Sequence, residues 1–214
     1  MGANAHGKIG EYTSQLEKGT AFVEIGCGDA STPILIDICK KAELIFYSID
    51  INNTRVSEDY NIIYEYGEQF LKDFHKWTYP KKYEISAAYL DNFDWFYNPV
   101  LYYEKQLDED DHARFLEYQK EGLVLSNINS QITHLTQTIL VEELSADKCV
   151  ILYDDTYYVS DQDTYSGKGG PSIIYLLSKG WEILPFTHTD LKYPEFAVMM
   201  GKNIIPNQHQ IKKF

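Results

Sequence analysis

The sequence predicts an α/β protein whose core is a seven-stranded, doubly wound, mostly parallel sheet, with one antiparallel strand from a C-terminal β-hairpin. Three observations point there. Five apolar runs alternate with helix-patterned segments up to residue 153, the order that produces parallel strands joined by crossover helices. The first run leads directly into a glycine turn, a helix and a second strand, over residues 21–50. The last two runs, at 181–186 and 195–201, stand too close for a crossover helix and must pair antiparallel.

Each element has a local reason. The segment up to about Lys18 reads as a short helix packed against the domain. The first apolar run ends in Glu24, and Gly26 and Gly28 follow at once. Glycines there let the backbone turn sharply and approach a ligand without a Cβ in the way. The helix that follows offers free N–H groups at its start, which favour a negative group. The second strand stops on Asp50, and an acid at that place can accept both hydroxyls of a ribose. The pattern predicts a bound nucleoside with an anionic end.

Residues 61–65 form a third, brief apolar run, and Gly67 opens an amphipathic helix with Phe70, Leu71 and Phe74 on one face. A fourth strand over 83–90 stops on Asp91. Residues 92–130 read as an insertion that could be a substrate cover or local core. It holds Trp95, Phe96, Tyr97, Tyr102 and Tyr103, an acidic run of the form ExxxDEDD, and a helix around 114–121. The helix over 130–144 carries Ile132, Leu135, Ile139, Leu140 and Leu144 as its core stripe. A fifth strand over 149–153 ends on Asp154 and Asp155, and Gly169, Gly170 and Pro171 lead into a last helix that stops at Gly180.

Bulk properties narrow the class. The 214 residues are read as one domain, and 44% hydrophobic content excludes a disordered chain. The formal charge is −13 without a basic patch, which argues against a nucleic-acid partner. No apolar run is long enough to span a bilayer. The opening MGANAHGKIG lacks an apolar signal region, and His6 stands where myristoylation needs Ser or Thr. A soluble cytoplasmic protein with no membrane partner is the expectation. Cys27, Cys39 and Cys149 are odd in number and lack CxxC spacing, which suits a reducing compartment and neither a disulfide frame nor a zinc site.

The turn reads GCGDAS, so the third glycine of a dinucleotide fingerprint is missing, and Ser31 stands in its place. Glu24 before the glycines completes an E-x-G-x-G pattern. With the terminal hairpin, this resembles the Rossmann-like class I S-adenosylmethionine-dependent methyltransferases, over roughly residues 20–203. The resemblance implies S-adenosylmethionine as cofactor. Its site would comprise Glu24, Gly26, Cys27, Gly28, Asp50, Ile51, Gly67, Glu68 and Asp91, with Tyr66-Gly67-Glu68 near the adenine end.

Asp91, Asp154 and Asp155 end neighbouring strands, so they converge on one rim. Clustered carboxylates repel unless they protonate or bind a cation, and oxygen ligands suit Mg²⁺. This is similar to the metal-dependent O-methyltransferases of the catechol and macrocin types, and LYDDTY before a glycine-rich helix start is particularly like the latter. That likeness implies Mg²⁺-assisted methyl transfer to a hydroxyl of a small molecule, the metal aligning the nucleophile and lowering its pKa. The catechol pattern has a lysine three residues after the first metal acid, where this chain has Asp94. Asp94 is thus a candidate base, with His112 as its rival. A metal-independent methyltransferase acting on N, O or a protein side chain, and a non-catalytic cofactor-binding module, are the alternatives.

Overall fold

The computed structural model describes residues 5–51, 62–96, 109–188 and 194–207. In chain order these form β1 (Ala21–Ile25), α1 (Ser31–Ala42), β2 (Ile45–Asp50), β3 (Ile62–Tyr64), α2 (Gly67–Lys72), α3 (Phe74–Trp77) and β4 (Ile85–Leu90). There follow α4 (Glu109–Lys120), α5 (Asn127–Glu143), β5 (Ser145–Tyr153), β6 (Thr156–Val159), β7 (Thr164–Gly167), α6 (Gly170–Ser178), β8 (Glu182–Ile183) and β9 (Val198–Lys202). Seven strands make one sheet in the order β3-β2-β1-β4-β5-β9-β8, and β9 alone runs antiparallel to its neighbours. The expected Rossmann-like α/β fold is the observed one.

β1 and β4 lie at the centre and are buried along their whole length, as strands covered on both faces must be. Alternation then sorts their side chains between two cores. Ala21, Val23, Ile25, Ala88 and Leu90 face a core shared with Phe70 of α2, Val141 of α5 and Ile173 of α6. Phe22, Ala87 and Tyr89 face another, with Leu35 and Cys39 of α1 and with Ile9 and Tyr12. Each fully buried large apolar side chain contributes about 1.5–3 kcal/mol. Among the described residues no helix is long and apolar enough to cross a membrane.

The N-terminal segment forms the expected short helix against the domain, as two 3-10 pieces, His6–Glu11 and Thr13–Gln15, with Ile9 and Tyr12 in the core; Gly7 and Gly10 weaken α-helical propensity there. Three local expectations change. β8 is two residues long, although Trp181, Leu184 and Phe186 around it are buried. β6 and β7 form an unanticipated antiparallel hairpin between β5 and α6. α5 keeps only part of its expected apolar stripe on the core: Leu140 and Leu144 pack there, Ile132 is exposed, and Ser130, His134, Gln137, Thr138 and Val141 are buried. Tyr97, Tyr102, Tyr103, Asn61 and most of the acidic run lie outside the described residues.

The buried polar face of α5 is partly satisfied: Ser130 Oγ, His134 Nδ1, Gln137 Nε2 and the Thr138 hydroxyl have partners, while His134 Nε2 and Gln137 Oε1 have none. The Thr138 hydroxyl donates to the His134 carbonyl at 2.7 Å, so the Tyr153 hydroxyl, also 2.7 Å away, donates to Thr138. Thr138→Val leaves that buried phenol without its acceptor, which costs about 1–3 kcal/mol. The expected outcome is a lower urea midpoint with an unchanged m-value.

Candidate functional site

Register builds the site. Ile25 pairs with Ile49 on one side and Leu90 on the other, and Leu90 pairs with Tyr153. The residues that come next, Asp50, Gly26, Asp91 and Asp154, therefore leave the sheet side by side at its C-terminal edge, where open α/β sheets bind ligands. A cavity of about 640 Å³ opens over this edge, a size that accommodates a cofactor-sized ligand. Gly26, Cys27, Gly28, Asp50, Ile51, Gly67, Glu68, Asp91, Asp94 and Asp155 all line it. Eight carboxylates and two lysines, Lys120 and Lys168, are in its wall.

The glycine turn is closed from below. Gly26 has φ +91°, and a Cβ there would sit 2.6 Å from the Asn92 amide nitrogen, so no other residue fits without moving the end of β4. The Cys27 amide donates to Asp50 Oδ2 at 3.0 Å, which fixes the strand-end acid against the turn. Glu24 is fully buried and outside the cavity wall. Its carboxyl accepts from Ser31 Oγ at 2.7 Å, Thr32 Oγ1 at 2.8 Å and Ser48 Oγ at 2.6 Å. Glu24 thus ties the start of α1 to β2 beneath the turn. Burial pushes its carboxyl up to about 7, against the opposing pull of the three hydroxyls.

The second wall carries the adenine-end candidates. Gly67 packs where a Cβ would meet Ile25 at 2.5 Å, letting α2 lie close to β1. Glu68 Oε1 accepts from Gln137 Nε2 of α5 at 3.0 Å.

The three rim acids are brought together, and the structure supplies a partner that sequence reading missed. Lys168 Nζ is 2.7 Å from Asp91 Oδ1 and 3.0 Å from Asp155 Oδ2, and its side chain is 5% exposed. The Tyr89 hydroxyl lies 2.9 Å from Asp91 Oδ2 and 3.2 Å from Asp154 Oδ2. The Asp155 amide donates to Asp154 Oδ1 at 3.0 Å. Asp154 is buried below the cavity and outside its wall. Despite burial, the neighbouring carboxylates hold the Lys168 ammonium well above its ordinary pKa. As arranged, these carboxylates do not fit a Mg²⁺ ion, because an ammonium group stands between two of them. Among the described residues no cluster of three or more His, Cys, Asp or Glu forms a metal shell.

The remaining rim comes from the insertion. Phe93 has φ +65°, a left-handed conformation that is costly for an aromatic residue. Tyr118 of α4 packs edge-on against its ring at 4.8 Å, and Ser130 Oγ donates to its carbonyl at 3.3 Å. The Asp94 amide donates to the Tyr118 hydroxyl at 2.8 Å. Asn127 holds the backbone of Phe96 from both sides, each bond 2.8 Å. Asp94 therefore sits at the cavity on an over-determined loop. His112 is exposed on α4 and is not among the lining residues.

No protein-family description matches the chain, and no curated protein does. Solved structures do. One is SMU.1697c from Streptococcus mutans, provisionally assigned as a methyltransferase and crystallised with SAH, at 12% identity and a TM-score of 0.38, covering 90% of this chain and 93% of that one. Another is PH0851, at 12% identity and a TM-score of 0.42, covering 93% of this chain and 44% of that one. Likenesses at these scores carry no information on function.

Glu24 makes stability depend on pH. Burial favours the neutral carboxyl, so the folded protein retains a proton that the unfolded chain releases above its ordinary value of 4.5. Its contribution is complete below about pH 4.5, declines as pH rises through about 7 and is then constant, a change of roughly 3 kcal/mol. Glu24→Gln removes this dependence. Urea unfolding at pH 4.5 to 8.5 is expected to show the variant gaining on the wild type by about that amount as pH rises. A difference that does not vary with pH contradicts the assignment.

Proposed function

We propose that the chain binds S-adenosylmethionine and transfers its methyl group to a hydroxyl of a small molecule. One observation carries this reading: a single acidic cavity contains the Gly26–Gly28 turn, the strand-end acid Asp50 and the rim of β4. A nucleoside hydroxyl pair suits a fixed strand-end carboxylate. The excess of carboxylates favours the sulfonium and ammonium charges of S-adenosylmethionine and opposes the pyrophosphate of a dinucleotide. When bound, the cofactor supplies an electrophilic methyl group.

In this reading Asp50 holds the ribose, Gly26, Cys27 and Gly28 face the amino-acid end, and Glu68 lies toward the adenine. The rim of Asp91, Asp94, Asp155 and Lys168 is left for the acceptor, under a cover formed by the insertion. Glu117, Tyr118 and Leu123 of that insertion line the cavity. Asp94 is the proton acceptor for the hydroxyl, held in place by Tyr118 and Asn127. Lys168 already holds Asp91 and Asp155, so methyl transfer in this reading proceeds without Mg²⁺.

Calorimetric titration with S-adenosylhomocysteine tests the reading. The wild type is expected to bind it and to ignore NAD. Asp50→Ala is expected to weaken binding about tenfold or more, equivalent to about 1.4 kcal/mol. Unchanged affinity in Asp50→Ala, or tighter binding of NAD, overturns it.

A further inference from the structure

We propose that Lys168 is the resident cation of the acceptor rim, standing where a divalent ion would otherwise be held, and that with Lys168 in place the rim binds no such ion. The inference rests on the reading of this cavity as a methyl-transfer site, and it concerns how that site handles the acceptor's oxygen.

The donors around the rim are already engaged. Lys168 takes one oxygen of Asp91 and one of Asp155, and the Tyr89 hydroxyl reaches the other oxygen of Asp91 and one of Asp154. A Mg²⁺ ion needs its oxygen ligands at about 2.0–2.1 Å in a near-octahedral set. An ammonium at 2.7 and 3.0 Å from the same carboxylates fills that space with a positive charge that repels a second cation.

The side chain of Lys168 is 5% exposed, and the backbone that carries it is tied to the rim. Its amide donates to the Asp155 carbonyl at 3.0 Å, and the next amide, of Gly169, donates to Thr156 Oγ1 at 2.9 Å. Gly167 has φ +87°, and a Cβ there would lie 2.0 Å from the Asp155 carbonyl oxygen. The β6–β7 hairpin can therefore close onto β5 only with glycine at that position, and closure delivers Lys168 to Asp91. Buried acids grouped this closely require a compensating charge, and the chain provides its own.

An ammonium carries three N–H groups. Asp91 and Asp155 draw two, and Lys168 lines the cavity. The third is the group that holds the acceptor oxygen in place of a metal bond. It orients that oxygen and stabilises negative charge as its proton leaves, without a ligand-exchange step.

Mn²⁺, followed by electron paramagnetic resonance, tests the assignment in the full chain. The wild type is expected to leave the signal of free Mn²⁺ unchanged at millimolar concentration. Lys168→Met uncovers the carboxylates and is expected to bind Mn²⁺ at least about tenfold more tightly, a gain lost again when Asp155→Asn is added. Lys168→Gln serves the same comparison should the methionine variant not fold. Stoichiometric Mn²⁺ binding by the wild type, or no gain in a folded Lys168 variant, overturns the proposal. Titration of S-adenosylhomocysteine into the wild-type sample reports on the cofactor reading separately. Absence of that binding, with the Mn²⁺ results as expected, removes the methyltransferase reading and leaves the lysine assignment standing.

Discussion

The site depends on the in-register ends of β2, β1, β4 and β5. Ile49, Ile25, Leu90 and Tyr153 form one row across the sheet, so the residues after them emerge together. Asp50 and Asp91 flank Gly26 for this reason alone, although they are separated by more than forty positions in the chain. A slip of one residue in any of these strands would send its side chains to the opposite face and scatter the row. The two apolar cores prevent that slip, since Val23 and Phe22 belong to different ones. Core packing and site geometry are thus the same constraint seen from two ends of the strands.

Polar burial then refines what the register has assembled. Glu24 lies one residue before the end of β1 and gathers hydroxyls from α1 and β2, locking the turn from the face away from the cavity. On the other face α5 buries Ser130, His134, Gln137 and Thr138. Ser130 supports the strained Phe93, and Gln137 supports Glu68. An apolar stripe in α5 would fill the same volume but leave both rim segments unsupported. The exposure of Ile132 is the consequence of giving the rim its hydrogen bonds.

These relations divide what was legible in the sequence from what was not. The alternation of strands and helices, the glycine turn and the strand-end acids follow from hydrophobic patterning and from glycine's backbone freedom, which are local properties. The Gly26–Gly28 turn, Asp50 and Asp91 were therefore found by pattern. Lys168 was not, because its role depends on a hairpin whose strands, TYYV and TYSG, are short, polar and half-exposed. Such a segment carries no buried stripe to announce it. The usable signal was the pairing of Asp154-Asp155 with Gly-Lys-Gly-Gly about a dozen residues later: the intervening turn brings the lysine back beside the acids it follows. His112 shows the converse. A titratable residue in an acidic helix had suitable chemistry, but helix geometry left it facing outward.

The lysine also changes how the protein's negative charge is understood. A formal charge of −13 can be carried by a solvated surface with no functional meaning, yet eight carboxylates line one cavity here. Lys168 satisfies two of them at the rim, where burial makes unpaired acids costly. It brings one positive charge to the group Asp91, Asp154 and Asp155, so the rim stays negative when all three are ionised. A diffuse single charge such as a sulfonium is still attracted, whereas a compact dication would need the space and the oxygens that the ammonium occupies. Two kinds of cation are thus separated by geometry within one field. That separation requires only that the hairpin close where Gly167 allows it.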